Sequence, residues 1–247
     1  LLTNRKDRRY ERLFVIEGVR LVEEALQAHV ELALVVYNGD QLAATERGTA
    51  VLSRLVDLPH TYEVALDVLQ AVSDTVTPQG IVAAVRWPEL EASVHNVVLV
   101  LDALQDPGNV GTLLRSAVAT NISQVICMVG TADVYSPKVA RAAMGAHFRV
   151  PIAQDVTWDE APLLLSTVDH IYATVADASM PYYAADWRQT SALIIGNEAN
   201  GVSDAGLALA TKQISIPMSP GVESLNAAIA GSVLLFEMQR QRRLGRS

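Results

Sequence analysis

Cysteine is nearly missing from this chain: Cys127 stands alone among 247 residues. That excludes an internal disulfide framework and suits a reducing compartment, so a cytoplasmic protein is expected. Cys127 sits in the apolar run 125–129 and reads as a core thiol rather than a nucleophile. Phe and Trp number three each, so Val, Ile, Leu and Ala must fill the core. No apolar run reaches the ~18 residues of a membrane helix, and no membrane partner is expected. The opening Leu-Leu-Thr-Asn-Arg-Lys lacks the apolar stretch of a signal peptide and reads as the trimmed start of a longer chain. His29, His60, His95, His147 and His170 are scattered and match no ligand spacing, so no metal is expected. The G-x-G-x-x-G dinucleotide fingerprint and the Gly-Lys-Ser/Thr of a phosphate loop are both absent, which argues against a nucleotide-dependent oxidoreductase or a nucleoside triphosphatase.

A net charge of −8 excludes a uniformly basic coat, but the charge is unevenly spread. Arg5, Lys6, Arg8, Arg9, Arg12 and Arg20 lie in the first twenty residues, and Arg240, Arg242, Arg243 and Arg246 in the tail. Basic ends on an acidic body suit a phosphate-bearing partner held at a defined place. The plainer alternative is that terminal charges only solvate frayed helices.

Short apolar runs alternate with amphipathic stretches, the pattern of an α/β fold. In the first third, strands are expected at 13–16, 32–37, near 62 and at 81–86, and helices at 3–9, from 18 to about 27, at 47–56 and at 65–72. Trp87-Pro88 and the polar stretch to Asn96 break the pattern. The expected division is a first domain at 1–88, a linker at 89–96 and a second domain at 97–247. In the second domain strands are expected at 97–101, 124–129, 147–152, 170–175, 192–195 and 213–216. Helices are expected at 110–120, 136–145, 157–166, 203–211 and 224–242. Such alternation implies a mostly parallel sheet with ligands at its carboxyl-terminal edge.

Three segments exceed plain scaffold. In the first, Pro107-Gly108 makes a turn, Asn109 is a candidate helix cap, Gly111 permits close backbone approach, and Arg115 follows on the same helix. In the second, a buried strand runs into Gly196-Asn-Glu198-Ala-Asn-Gly201, a loop with a carboxylate between two glycines. Gly196 would let the backbone approach a flat ligand, and Ser203 caps the next helix. In the third, Ile216-Pro217-Met218 leads through Gly221 to Ser224-Leu225-Asn226. Ser224 reads as the cap of a long helix whose Ala227, Ala228, Ala230, Gly231 and Ser232 permit close packing, either within the chain or against a second subunit.

Together these segments resemble the motifs of the SpoU/TrmH methyltransferases of the SPOUT superfamily. Asn-x-Gly-x-x-x-Arg appears as Asn109-Val-Gly111-Thr-Leu-Leu-Arg115. Gly-x-Glu-x-x-Gly appears as Gly196-Asn-Glu198-Ala-Asn-Gly201. The third motif is Ile216-Pro217-Met218 through Ser224-Leu225-Asn226. Residues 97–240 carry this resemblance, and Ala227 is a small departure where many members have Val. The first third is similar to the ribosomal-protein-like substrate-binding domain of several such enzymes, in Arg12-Leu-Phe-Val-Ile-Glu17-Gly18-Val-Arg20.

The resemblance implies an α/β fold whose carboxyl-terminal, mostly parallel sheet carries a deep trefoil knot, joined to a small amino-terminal α/β/α domain. It implies a homodimer that transfers a methyl group from S-adenosylmethionine to a ribose 2′-hydroxyl of RNA. The ribosomal-protein-like domain favours rRNA, most of all 23S type, over tRNA. The rival of another class is a catalytically idle RNA-binding or ribosome-assembly protein of the same fold. By resemblance, Thr174, Gly196, Gly201, Ile216, Met218 and Leu225 bind the cofactor, and Arg115, Asn109, Glu198, Ser224 and Asn226 serve catalysis. Arg5, Lys6, Arg8, Arg9, Glu17 and Arg20 would meet RNA. Two roles stand open for Arg115: a base with depressed pKa, or a retained charge that stabilises a developing 2′-oxyanion.

Overall fold

A computed structural model describes residues 1–75, 77–92, 97–222 and 224–245. Part of the expected linker (93–96, with His95) and the tail Arg246 lie outside the described residues. Contacts divide the chain into two compact units: Leu1–Glu89 with Tyr135–Arg149, and Leu90–Val134 with Val150–Ser247. The break between Glu89 and Leu90 falls at the start of the expected linker. The transfer of Tyr135–Arg149 to the first unit was not expected from sequence.

The first unit opens with α1 (Arg5–Glu11), capped by the Asn4 side chain and ended by a left-handed Arg12. Next come β1 (Leu13–Glu17), α2 (Val19–Gln27), β2 (Leu32–Tyr37), α3 (Gly39–Ala43), α4 (Glu46–Leu55), β3 (Thr61–Glu63), α5 (Leu66–Ala71) and β4 (Ile81–Arg86). The sheet order is β1-β4-β2-β3, with only the β2–β3 pair parallel. On α2, Leu21, Val22, Ala25 and Leu26 are buried, the one-sided pattern of an amphipathic helix.

The second unit contains β5 (Val97–Leu101), α6 (Pro107–Ala119) and β6 (Gln124–Met128). The chain then supplies α7 (Pro137–Ala143) to the first unit and returns for β7 (Ile152–Val156). There follow α8 (Ala161–Leu164), β8 (His170–Thr174), β9 (Ser191–Ile195), α9 (Asp204–Leu209), β10 (Lys212–Ile214) and α10 (Ala227–Leu244). The six strands are all parallel, in the order β10-β8-β9-β5-β6-β7. β5 and β9 are buried along their whole length at the sheet centre. Each fully buried Val, Leu or Ile there contributes about 1.5–3 kcal/mol.

One expected strand is a correction. Residues 147–152 are not extended: Met144 ends α7 in the left-handed region, Gly145 follows at φ 86°, and Ala146–Phe148 form a 3-10 turn. Their apolar character serves a ring cluster of Phe14, Tyr135, His147 and Phe148 within the first unit. The strand starts only after Pro151. Sequence reading also missed α3 and the 3-10 turn Tyr182–Ala184.

Candidate active site

Three chain segments meet at the carboxyl-terminal edge of the parallel sheet. Residue 102 ends β5 with a buried carboxylate, whose Oδ2 accepts the Ser203 amide at 2.7 Å. Beyond it, Asp106 caps α6 by accepting the Asn109 amide at 2.7 Å, and Pro107 starts the helix. Asn109 is therefore not the cap. It sits in the first turn with its side chain free to reach outward.

That side chain is the middle of a relay. Asn109 Nδ2 donates to Glu198 Oε1 at 3.0 Å, and Asn109 Oδ1 accepts Asn226 Nδ2 at 2.9 Å. Asn226 Oδ1 in turn accepts the amides of Ala228 and Ile229, at 2.9 and 3.2 Å, and so caps α10. Asn226, rather than the expected Ser224, is the cap of that helix. Because each amide has one donor end and one acceptor end, the orientation of the whole row follows from Glu198 being an acceptor.

Glu198 also accepts the backbone amides of Gln105 and Asp106, at 3.3 and 3.4 Å. Partial burial opposes its charge, but the bonds from Asn109 and these amides outweigh it and hold the carboxyl below the usual range. Its position at the amino end of α6 further suits a negative charge.

The loop that carries Glu198 is tightly built. Asn197 and Gly201 exchange both backbone bonds at 2.9 Å, Asn197 Nδ2 donates to Ala103 O, and Asn197 Oδ1 accepts the Ala199 and Asn200 amides. A Cβ on Gly196 would collide with the Gly201–Val202 backbone. Glycine at 196 thus admits its own loop, in addition to lining the cavity beside it. Gly201 has open space around it but a φ of 70°, which is what calls for glycine there.

Beside the relay is a cavity of about 360 Å³. Thr174, Gly196, Gly201, Ile216, Met218 and Leu225, the six expected cofactor residues, all line it, as do Glu198 and Ser224. Val175, Ile214, Ala227 and Leu234 complete apolar walls that sequence reading did not assign. Ser215, just before this wall, is held on both sides: the Tyr182 amide donates to Ser215 O, and Ser215 N donates to Met180 O. The 182–189 stretch is in turn fastened to α10: Gln241 Oε1 accepts Trp187 N, and Arg242 Nε donates to Trp187 O at 2.8 Å.

α10 packs on α6 through its small residues. Gly231 lies against Leu113, and Ser116 Oγ meets Ser232 Oγ at 2.7 Å. Arg115 is not part of the relay or of the cavity wall. It stands on the exposed face of α6 without a hydrogen bond or ion pair among the described residues.

The expected RNA residues divide. Lys6 and Arg9 are exposed on α1. Arg8 is buried, and its guanidinium donates to the carbonyls of Leu1 and Leu2, which engages it in packing the amino-terminal residues instead. Glu17 accepts the Asp74 amide and the Thr75 hydroxyl, so it ties down a loop. Cys127 is buried, and desolvation, with the Asp155 charge, pushes its thiol up to about 12. That fits a core residue and not a nucleophile. Among the described residues no His, Cys, Asp and Glu side chains cluster as metal ligands would, and no helix is long and apolar enough to cross a membrane.

Residues 96–236 match the family model of the SpoU rRNA methylase family. The chain belongs to this family. Residues 1–83 match the MRM3-like substrate binding domain. The chain is 32% identical over 238 residues to the 23S rRNA (guanosine(2553)-2'-O)-methyltransferase RlmP of Bacillus subtilis, covering 96% of this chain and 93% of that one. It is 30% identical to the mitochondrial rRNA methyltransferase 3 of Homo sapiens, covering 98% and 71%. The SpoU methyltransferase AviRb of Streptomyces viridochromogenes, solved with AdoMet, superposes with a TM-score of 0.87 at 27% identity, covering 98% and 95%. The α/β architecture and the mostly parallel sheet agree with that likeness, which is consistent with the knotted fold of SpoU proteins.

Proposed function

We propose that this SpoU protein transfers a methyl group from S-adenosylmethionine to a ribose 2′-hydroxyl of rRNA, of 23S type. The observation that carries the reading is the convergence of three loops: the Glu198–Asn109–Asn226 relay stands at the rim of a cavity walled by residues 174, 196, 201, 216, 218 and 225. The cavity lies in the size range of ligand pockets, roughly 300–1,000 Å³, and joins apolar walls to a few polar groups, as an adenosyl ligand requires. The names of RlmP and rRNA methyltransferase 3 support rRNA, as does the substrate-binding domain.

S-adenosylmethionine supplies an electrophilic methyl on a sulfonium when bound. The protein's part is position and charge. Ile216, Met218 and Leu225 would clasp the adenosyl group, with Thr174, Gly196 and Gly201 shaping the strand-end side of the pocket. Glu198 fixes the Asn109 amide, and Asn109 and Asn226 present a rigid polar rim to the incoming ribose, beside Ser224. Arg115 comes from the same helix and, unpaired, is available to RNA. Either its charge stabilises developing negative charge on the 2′-oxygen, or it takes the proton.

The same reading includes a cytoplasmic homodimer. α10 leaves Ile229, Val233 and Phe236 exposed on one stripe, while its Ala228, Gly231 and Leu235 face the core. An apolar stripe at helical spacing suits a second copy.

The test is labelled-methyl transfer to bulk rRNA and to tRNA. Label in rRNA alone is expected. Label in tRNA alone, or none although calorimetry detects cofactor binding, would refute the substrate assignment. No cofactor binding at millimolar concentration would favour the idle RNA-binding module.

A further inference from the structure

The loop between β5 and α6 bends at a residue that resists the bend. Ala103 sits at φ 55°, in the left-handed region that a residue with a Cβ enters only at a cost. Such a conformation persists where its surroundings hold it, and it clusters at functional sites. On one side the loop is held by the chain after β6: Thr131 Oγ1 donates to Leu101 O at 3.0 Å, and Ala132 N donates to Leu104 O at 2.8 Å. On the other side Asn197 Nδ2 donates to Ala103 O at 2.8 Å. Asn197 borders the cavity beside the relay, yet both ends of its amide are turned to backbone, because Oδ1 accepts the Ala199 and Asn200 amides at 2.9 and 3.2 Å.

Asn197 directly precedes Glu198, and Gln105 and Asp106 follow Ala103 by two and three residues. One short bond therefore sets the offset between the segment that carries the carboxylate and the segment that carries its donors. The bonds that depend on this offset are long, at 3.3 and 3.4 Å from the two amides against 3.0 Å from Asn109. Bonds near the upper limit of length are lost when the segments slide by a few tenths of an ångström. Charged neighbours do not fix Glu198 instead. The Asp106 carboxylate accepts the Asn109 amide and the Asp102 carboxylate the Ser203 amide, while Arg115 on α6 and Asp204 on α9 make no bond to Glu198 among the described residues. We propose that Asn197 is a positioning residue of methyl transfer: its bond to Ala103 O places Glu198 on the Gln105 and Asp106 amides, and Glu198 in turn fixes the Asn109 side chain that faces the ribose. The inference rests on the reading of the protein as an RNA methyltransferase, but its first link, from Asn197 to Glu198, does not.

That link is read by an NMR titration of the full chain with isotope-labelled Glu carboxyls, with Glu198→Gln to assign the resonance. In the wild type Glu198 should titrate below the ordinary Glu value of about 4.3. Asn197→Ala removes the tie without changing charge, and Glu198 should then titrate higher, because its partial burial stays while the amide bonds go. Asn197→Ser keeps an oxygen for the loop amides, lacks the amide donor to Ala103 O, and should show the same rise. A double-mutant cycle of single-turnover methyl transfer to rRNA reads the second link. Asn197→Ala should slow transfer on the order of 100-fold, the cost of a misplacement of about 1 Å, and should add little in the Glu198→Gln background. An unmoved Glu198 titration in both Asn197 variants, or an equal loss of rate in both backgrounds, overturns the proposal and leaves Asn197 a structural residue. A raised titration in Asn197→Ala beside a wild type that transfers no methyl to rRNA overturns the enzymatic reading and the positioning role with it, while the Asn197–Glu198 link stands.

Discussion

Asn226 does two things with one amide. Its oxygen caps α10 and its nitrogen donates to Asn109. These roles separate by substitution. Asn226→Asp keeps the capping oxygen and removes the donor, so thermal unfolding should stay near wild type while methyl transfer falls. Asn226→Ala loses the cap as well, at about 1 kcal/mol, and should lower both the melting temperature and the activity. Equal melting temperatures for the two variants would contradict this division. Glu198 sets a pH dependence. Its carboxyl is held below the ordinary range, so the contribution of its charged form is present above the unfolded carboxylate pKa and is lost as pH falls through the lower folded value. Cofactor affinity should therefore be flat from neutral pH down to about 4.3, the free Glu value, and decline only below it. In Glu198→Gln that acid decline should vanish, and affinity should be lower throughout; calorimetry across pH checks both. Arg115 is decided by single-turnover rates. Arg115→Ala should be strongly impaired, and a near-normal rate in that variant would refute the base and the oxyanion role together.

At the scale of elements, the loop after β9 is held by two glycines for different reasons, and the difference is measurable. Gly196→Ala drives a Cβ into the Gly201–Val202 backbone and should destabilise by about 1–3 kcal/mol or more, with loss of cofactor binding. Gly201→Ala meets open space and carries only the left-handed backbone penalty, about 1–2 kcal/mol. Denaturant unfolding that ranks Gly201→Ala as the worse would contradict the close approach. The three motif loops were legible because each pairs a buried strand with a turn rich in Gly, Pro and Asn. The caps were misread by a few residues for a physical reason. Asp106, Asn109, Ser224 and Asn226 are all competent caps, and only the fold decides which one faces free amides. Apolar content at residues 147–150 read as a strand, but it meets Phe14 across more than a hundred positions, which no local period records. The same limit hid the membership of Tyr135–Arg149 in the first unit.

At the scale of the molecule, a chain of net charge −8 must hold RNA by local groups. Lys6 and Arg20 are exposed and expected to be among those groups, whereas Arg8 is engaged with carbonyls and Arg240 with Glu237. The proposed second copy on α10 gives a further expectation: Phe236→Glu should shift sedimentation from dimer to monomer, and an unchanged dimer would place the interface elsewhere. The account as a whole stands on a methyl group reaching a sugar oxygen. Its most direct test is to methylate 23S rRNA with labelled S-adenosylmethionine and hydrolyse the product in alkali, which cleaves only beside a free 2′-hydroxyl. The account predicts label in an alkali-resistant dinucleotide. Label recovered on a mononucleotide base would contradict it.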